Sequence, residues 1–258
     1  MRGSLRRARL LLWLYLPTLA LSVAQGMVLP AIPKLAQAFH VSAGTAGQVV
    51  TAFGAGRMLI LLPAGLLVDA LGARTVLLLG STLAVVGAAA VAASPVFWGL
   101  LVGQLLAGAG ASLWTLGREA AALGLVPPER RGRLLSAFFG LQMAGNALGP
   151  MAAGLLVDRA GLRPTLWVPL GVWGLSGIAR GELPATAHGP RALRLRDTLP
   201  SLPPAYRTTF RVITFATFVL TLYRASLNTL LPLYVGVQLG YPGTLVGALF
   251  GVVSVLIL

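Results

Sequence analysis

The sequence predicts an all-α membrane protein, a bundle built from inverted three-helix repeats, and three observations predict it. Hydrophobic residues make up 57% of the chain against 10% charged, with a mean hydropathy of +0.84. That is more apolar surface than a soluble domain of 258 residues can bury. Apolar runs suited to a bilayer core about 30 Å thick, which takes about 20 residues of helix, recur along the chain. Finally, GLLVDALGAR at 65–74 returns as GLLVDRAGLR at 154–163, an offset of 89 residues that holds three such runs. An odd number of spans places the two copies on opposite membrane faces, as in folds made of two mirrored units.

Span 1 is expected over residues 10–32. Its basic start and the small residues Ser22 and Ala24 also suit a cleaved secretory signal. The polar-faced run on to Ala31, with more spans behind it, favours an uncleaved first helix. Spans 2, 3 and 4 follow at 43–67, 75–93 and 96–117, and Pro127, Pro128 and Gly132 punctuate the turn into span 5 at 134–156. Span 6 at 164–180 completes a six-helix half, residues 1–180. Residues 181–209, rich in Pro and Arg, form a basic linker, solvated or resting on anionic headgroups. Span 7 at 210–235 and a partial span 8 from residue 244 open a second half over 210–258. Residues 244–258 reach only about 22 Å at the helical rise. The chain is therefore expected to stop inside a span, as an incomplete gene product lacking its remaining helices.

Charge orients the bundle. All but five of the 20 Lys and Arg fall at the N-terminus, after span 2, between spans 4 and 5, or around the 181–209 linker. Lys34, Arg159 and Arg163 lie on the other side, and Arg57 and Arg224 inside spans. This asymmetry puts the N-terminus in the cytoplasm, in a bacterial inner membrane. A net charge of +14 would point to nucleic acid in a soluble protein, but the apolar spans exclude that partner. With no Cys and only two His, both in loops, no metal site or cofactor is expected. No Ser, His and Asp grouping, carboxylate pair or phosphate loop points to an enzyme.

Polar residues sharing a helical face inside a membrane line water or a partner helix. Tyr15, Thr18, Ser22 and Gln25 follow such spacing on span 1. Gln104, Gly108, Ser112, Thr115 and Glu119 do so on span 4, and Thr214, Thr217, Thr221, Arg224 and Asn228 on span 7. Each stripe alone fits interhelical hydrogen bonding; a common cavity accounts for all three together. Arg57 stands 12 residues before Asp69, about 18 Å into the membrane, and Arg224 is similarly deep. No carboxylate lies at that depth, so each guanidinium needs carbonyls, water or an anionic ligand.

These features resemble the major facilitator superfamily, and the resemblance covers essentially the whole chain. The loop after span 2 is similar to that family's motif A, G-x-x-x-D-(R/K)-x-G-x-(R/K)-(R/K): Gly65, Asp69, Gly72 and Arg74 match, while Ala70 and Thr75 replace basic residues. The resemblance implies that Asp69 and Arg74 help latch the cytoplasmic side through helix ends and the other half. Span 5 resembles motif C of the antiporter branch, G-x8-G-x3-G-P-x2-G-G. Here it reads Ser136, Gly145, Gly149, Pro150, Ala153 and Gly154, residues that would let the span pack and bend. Span 4 resembles motif B, R-x-x-Q-G-x-G, with Gln104 at the Arg position and then Ala107, Gly108 and Gly110. A Gln cannot carry the charge that shifts a neighbouring proton site. The family's twelve-helix plan puts helices 1, 4, 7 and 10 around the cavity, as the three stripes require.

The expected function is alternating-access transport of a small organic solute, proton-coupled and outward, with Gln25, Ser22, Gln104, Thr115, Thr221, Arg224 and Asn228 toward the solute. Deep positive charge suits a neutral or anionic one. An importing symporter or facilitator for organic anions or sugars is the alternative that Gln104 favours. A non-transporting truncated fragment is the alternative that the ending in VVSVLIL favours.

Overall fold

The computed structural model describes the backbone of residues 2–176, 204–242 and scattered positions to 252; side chains are described from Leu14 onward with gaps, many of them after Pro204. Eight helices are described: α1 (Arg2–Gly26), α2 (Ile32–Ala38), α3 (Ala43–Leu71), α4 (Ala73–Ala93), α5 (Phe97–Leu123), α6 (Pro128–Ala160), α7 (Leu162–Ser176) and α8 (Pro204–Leu233). Most of the expected 181–209 linker lies outside the described residues. Helix α1 ends at Gly26, six residues before the expected end of span 1. Pro30 lacks the N–H that would bond the Gly26 carbonyl, and its ring crowds that turn. The chain instead makes a 3-10 turn at Leu29–Ala31 and then the short α2, whose Pro33 has its φ preset for a helix start.

Helix α3 begins where the Ser42 hydroxyl accepts the Thr45 N–H at 3.1 Å, filling one of the orphan donors of a first turn. It bends by 51° between Leu61 and Pro63, as a proline inside a helix requires. Among the described residues α4 and α5 are long and apolar enough to cross a membrane, and the bent α3 makes a third. Helices α1, α6, α7 and α8 occupy the places expected for spans 1, 5, 6 and 7, with basic or polar residues at their ends or within them.

Glycine decides the packing. Gly103, Gly110 and Gly117 recur every seven residues on α5 and lie on the α4 backbone at Gly87 and Val91, at Gly80 and Ala84, and at Ala73 and Leu77. Residue numbers rise on one helix as they fall on the other, so α4 and α5 are antiparallel. On another side of α5, Gly108 meets the Phe53 carbonyl and Leu105 the glycine at 56, a close crossing with α3. Gly145 and Gly149 of α6 lie on Leu19, Ser22, Val23 and Gly26 of α1, in parallel. Gly56 and Gly145 are 89 residues apart, the offset of the sequence repeat. Each of the two crossings is thus a close glycine approach, at positions that the repeat relates. Small residues at such crossings let backbones approach where lipid offers no hydrophobic drive.

The repeat also governs the turns. Gly72 (φ 82°, ψ 154°) closes α3 and Gly161 (φ 89°, ψ −179°) closes α6, each donating its N–H to the residue four before, Val68 or Val157. That backbone region is essentially glycine's alone, at about 1–3 kcal/mol for other residues. Gly72→Ala and Gly161→Ala are each expected to destabilise the protein by that amount, additively because the turns are on opposite faces. Thermal unfolding of the single and double variants in detergent checks this, and an unchanged midpoint for either would contradict it.

Candidate functional site

The polar stripes of spans 1 and 4 meet inside the bundle, but they divide between packing and cavity. On α1, Thr18 donates to the Leu14 carbonyl at 2.6 Å and Ser22 to the Thr18 carbonyl at 2.8 Å, and both are buried. Ser22 faces Gly145 at the α1–α6 crossing, so its place here is in helix packing. The back-bonding satisfies its hydroxyl within its own helix. On α5, Ser112 donates to the Arg57 carbonyl of α3 at 3.3 Å, next to Gly108 at the same crossing. Thr115 is half-buried one turn further.

Gln25 and Gln104 do come together. With Phe53, Ala88, Val91 and Trp173 they line a cavity of about 40 Å³ between α1, α3, α4, α5 and α7. A water takes about 30 Å³ in the liquid and drug-sized pockets start at about 300 Å³, so this space suits water and not an organic solute. A wider cleft of about 420 Å³ opens at the end where α6 turns into α7, lined by Phe39, Ser94, Gly161, Arg163 and Leu166 among others.

Arg57 carries its side chain on an exposed strip of α3 with Gly54, Leu61 and Gly65. Asp69 is exposed at the end of α3, Gly72 forms the turn, and Arg74 is half-buried on α4. Gly145, Gly149, Pro150 and Gly154 are buried, and α6 runs through Pro150 as one helix, with Gly26 against the proline ring. The stripe Thr214, Thr217, Thr221, Arg224 and Asn228 lies on α8, and its side chains are outside the described residues.

The largest fully buried side chain among the described residues was missed. Arg118 is 1% exposed, where the charge count had placed it in the connection between spans 4 and 5. Helix α5 runs on to Leu123, so Arg118 is inside it. Its Nη1 donates to Thr18 at 2.9 Å and its Nη2 to Glu119 at 3.0 Å. The guanidinium lies 4.3 Å from the Phe138 ring centroid and 5.0 Å from that of Trp114. Tyr15 packs on Phe138 and Trp173 on Trp114. An aromatic cage of this kind offsets part of the loss of water, and Glu119 supplies the countercharge. The legible signal was Trp114 and Arg118 four apart with Glu119 adjacent, an arrangement that joins α1, α5 and α6.

A helical membrane bundle of inverted repeats, close-packed through glycine with polar groups gathered inside it, defines a membrane transporter. The chain matches the profile of the Major Facilitator Superfamily over residues 14–258 and belongs to that family. It is 30% identical over 178 residues to an uncharacterised MFS-type transporter of Mycobacterium tuberculosis, covering 67% of this chain and 25% of that one. It is 32% identical over 115 residues to the MFS-type transporter pydD of Acremonium sp, covering 45% and 20%. The fold is similar to a crystal structure of a POT family transporter in complex with 5-aminolevulinic acid, at TM-score 0.63 and 17% identity, covering 86% of this chain and 47% of that one. It is also similar to a crystal structure of peptide transporter POT in complex with sulfate, at 0.58 and 17%, covering 85% and 46%. The chain therefore spans a quarter or less of these curated relatives and about half of these solved structures. Its family is one of transporters and not of enzymes.

Proposed function

We propose that this chain supplies the first half, residues 1–180, and the start of the second half, residues 210–258, of a secondary transporter, joined by a cytoplasmic linker at 181–209. The whole works by alternating access in a bacterial cytoplasmic membrane, with the N-terminus inside, and carries a small neutral or anionic organic solute outward against protons. The observation that carries this is the pair of glycine crossings at repeat-related positions, α1 on α6 at Gly145 and α3 on α5 at Gly56, which supports two mirrored units able to rock. The 40 Å³ space beside Gln25 and Gln104 is too small for the solute. The site is therefore set between this bundle and its complementary helices, with Gln104, Thr115, Arg224 and Asn228 toward it and Asp69 and Arg74 at the cytoplasmic closure.

The test is flux in proteoliposomes of the chain with its complementary helices. The single-cysteine variant Arg163→Cys reports sidedness on this cysteine-free background. Uphill movement of anionic or neutral solutes opposite to an imposed proton gradient, lost in Arg224→Ala, is the expected result. Preference for cationic solutes would overturn the solute class. Flux indifferent to the gradient would favour the facilitator reading, which Gln104 at the motif B arginine position supports.

A further inference from the structure

The repeated sequence ends two helices on opposite faces, and its aspartates are in different states. Asp69, at the end of α3, is exposed. Asp158, its counterpart 89 residues on at the end of α6, is engaged. Its Oδ1 lies 3.3 Å from the Lys34 Nζ of α2, and Lys34 also donates to the Val157 carbonyl at 2.9 Å. Its Oδ2 accepts the backbone N–H of Thr244 at 2.8 Å. Thr244 opens the helical residues that follow α8, and Gly247 one turn later lies on the Pro150 carbonyl of α6.

Three parts of the chain thus converge on one carboxylate. The first-turn N–H groups of a helix carry partial positive charge and favour an anion. A hydrogen bond to an ionised acceptor is roughly twice as strong as a neutral one. Lys34 meanwhile satisfies a last-turn carbonyl of α6 and holds Asp158 in charge balance. The segment after α8 belongs to the second half of the chain, so this contact bridges the halves on the Asp158 face.

We propose that Asp158 and Lys34 form a latch that closes this face, the mirror of the closure at Asp69 on the other. In the structure the Asp158 contact is made. For this face to open, the Thr244 N–H must leave the carboxylate. The inference rests on the alternating-access reading, but its test needs no transport.

Spin labels at Arg163→Cys and Tyr241→Cys, both exposed positions, report the distance across the latch in lipid-reconstituted chain. Asp158→Asn and Lys34→Met are each expected to raise the population of longer distances, Asp158→Asn by about tenfold, the weight of one charge-assisted hydrogen bond. Asp69→Asn, which weakens the closure of the opposite face, is expected not to raise it. The swap Asp158→Lys with Lys34→Asp restores an ion pair but sets a cation against the Thr244 N–H, and is expected to stay open. Unchanged distances in Asp158→Asn and Lys34→Met, with unfolding midpoints near the parent's, would reduce Asp158 to a helix cap and overturn the latch. A lowered midpoint with unchanged distances overturns it equally. Absent flux with shifted distances would reject the transport reading and leave the latch standing.

Discussion

Gly108→Leu is expected to prevent the bundle from assembling, at a destabilisation of at least about 3 kcal/mol, the upper end of ordinary overpacking. A Cβ at this position lands on the carbonyl of Phe53, and the Gly56 contact one turn away already holds the Leu105 carbonyl at the closest approach of α3 and α5. The obstacle is backbone, so no rotamer change relieves it. Ser112 lies one turn further along the same crossing, and separating the helices also breaks its bond to the Arg57 carbonyl. Gly54→Leu is the control, because a Cβ there meets nothing within 4 Å. Size-exclusion profiles and thermal midpoints in detergent decide the matter. Gly108→Leu behaving like Gly54→Leu would show that the α3–α5 crossing is looser than its geometry.

The second large effect concerns the buried cation. Glu119→Ala leaves a guanidinium whose side chain is 2% exposed with Thr18 and two aromatic faces but no countercharge. Breaking a buried pair from one side costs about 3–5 kcal/mol, and the low end applies because Glu119 is itself 34% exposed. Arg118→Met removes the charge while keeping a long apolar stem between Trp114 and Phe138, and is expected to cost less. The double variant is expected to lose less than the sum of the two, since the residues share one interaction. Unfolding midpoints of the three variants give the comparison. If Glu119→Ala proved milder than Arg118→Met, packing and not charge would hold this site together.

Much of the fold was legible because it depends on local chemistry. The helices α3 to α8 overlie the expected spans with described ends up to six residues away, and Ser42, Gly72, Pro128 and Gly161 mark boundaries where capping or backbone preference acts within one turn. The end of α1 was misplaced because hydrophobicity ran on past Pro30 while the backbone could not. The candidate site was only half legible. Periodicity grouped Ser22 with Gln25 and Ser112 with Gln104. The structure sends the serines to helix crossings and the glutamines to one cavity, since a few tens of degrees around an axis separate lining from packing. Arg118 escaped because ending span 4 at residue 117 moved it, on paper, into water.

By itself the sequence determined the helical class, the run of apolar helices and their repeat. Hydrophobic length, glycine and proline chemistry and an 89-residue echo act along the chain without reference to neighbours. Only the tertiary structure decided which polar groups come together: Arg118 with Thr18 and Asp158 with Thr244 in hydrogen bonds, Gln25 and Gln104 around one cavity. Helical periodicity assigns a residue to a face, and the partner on that face is settled by how closely glycine lets the next helix approach.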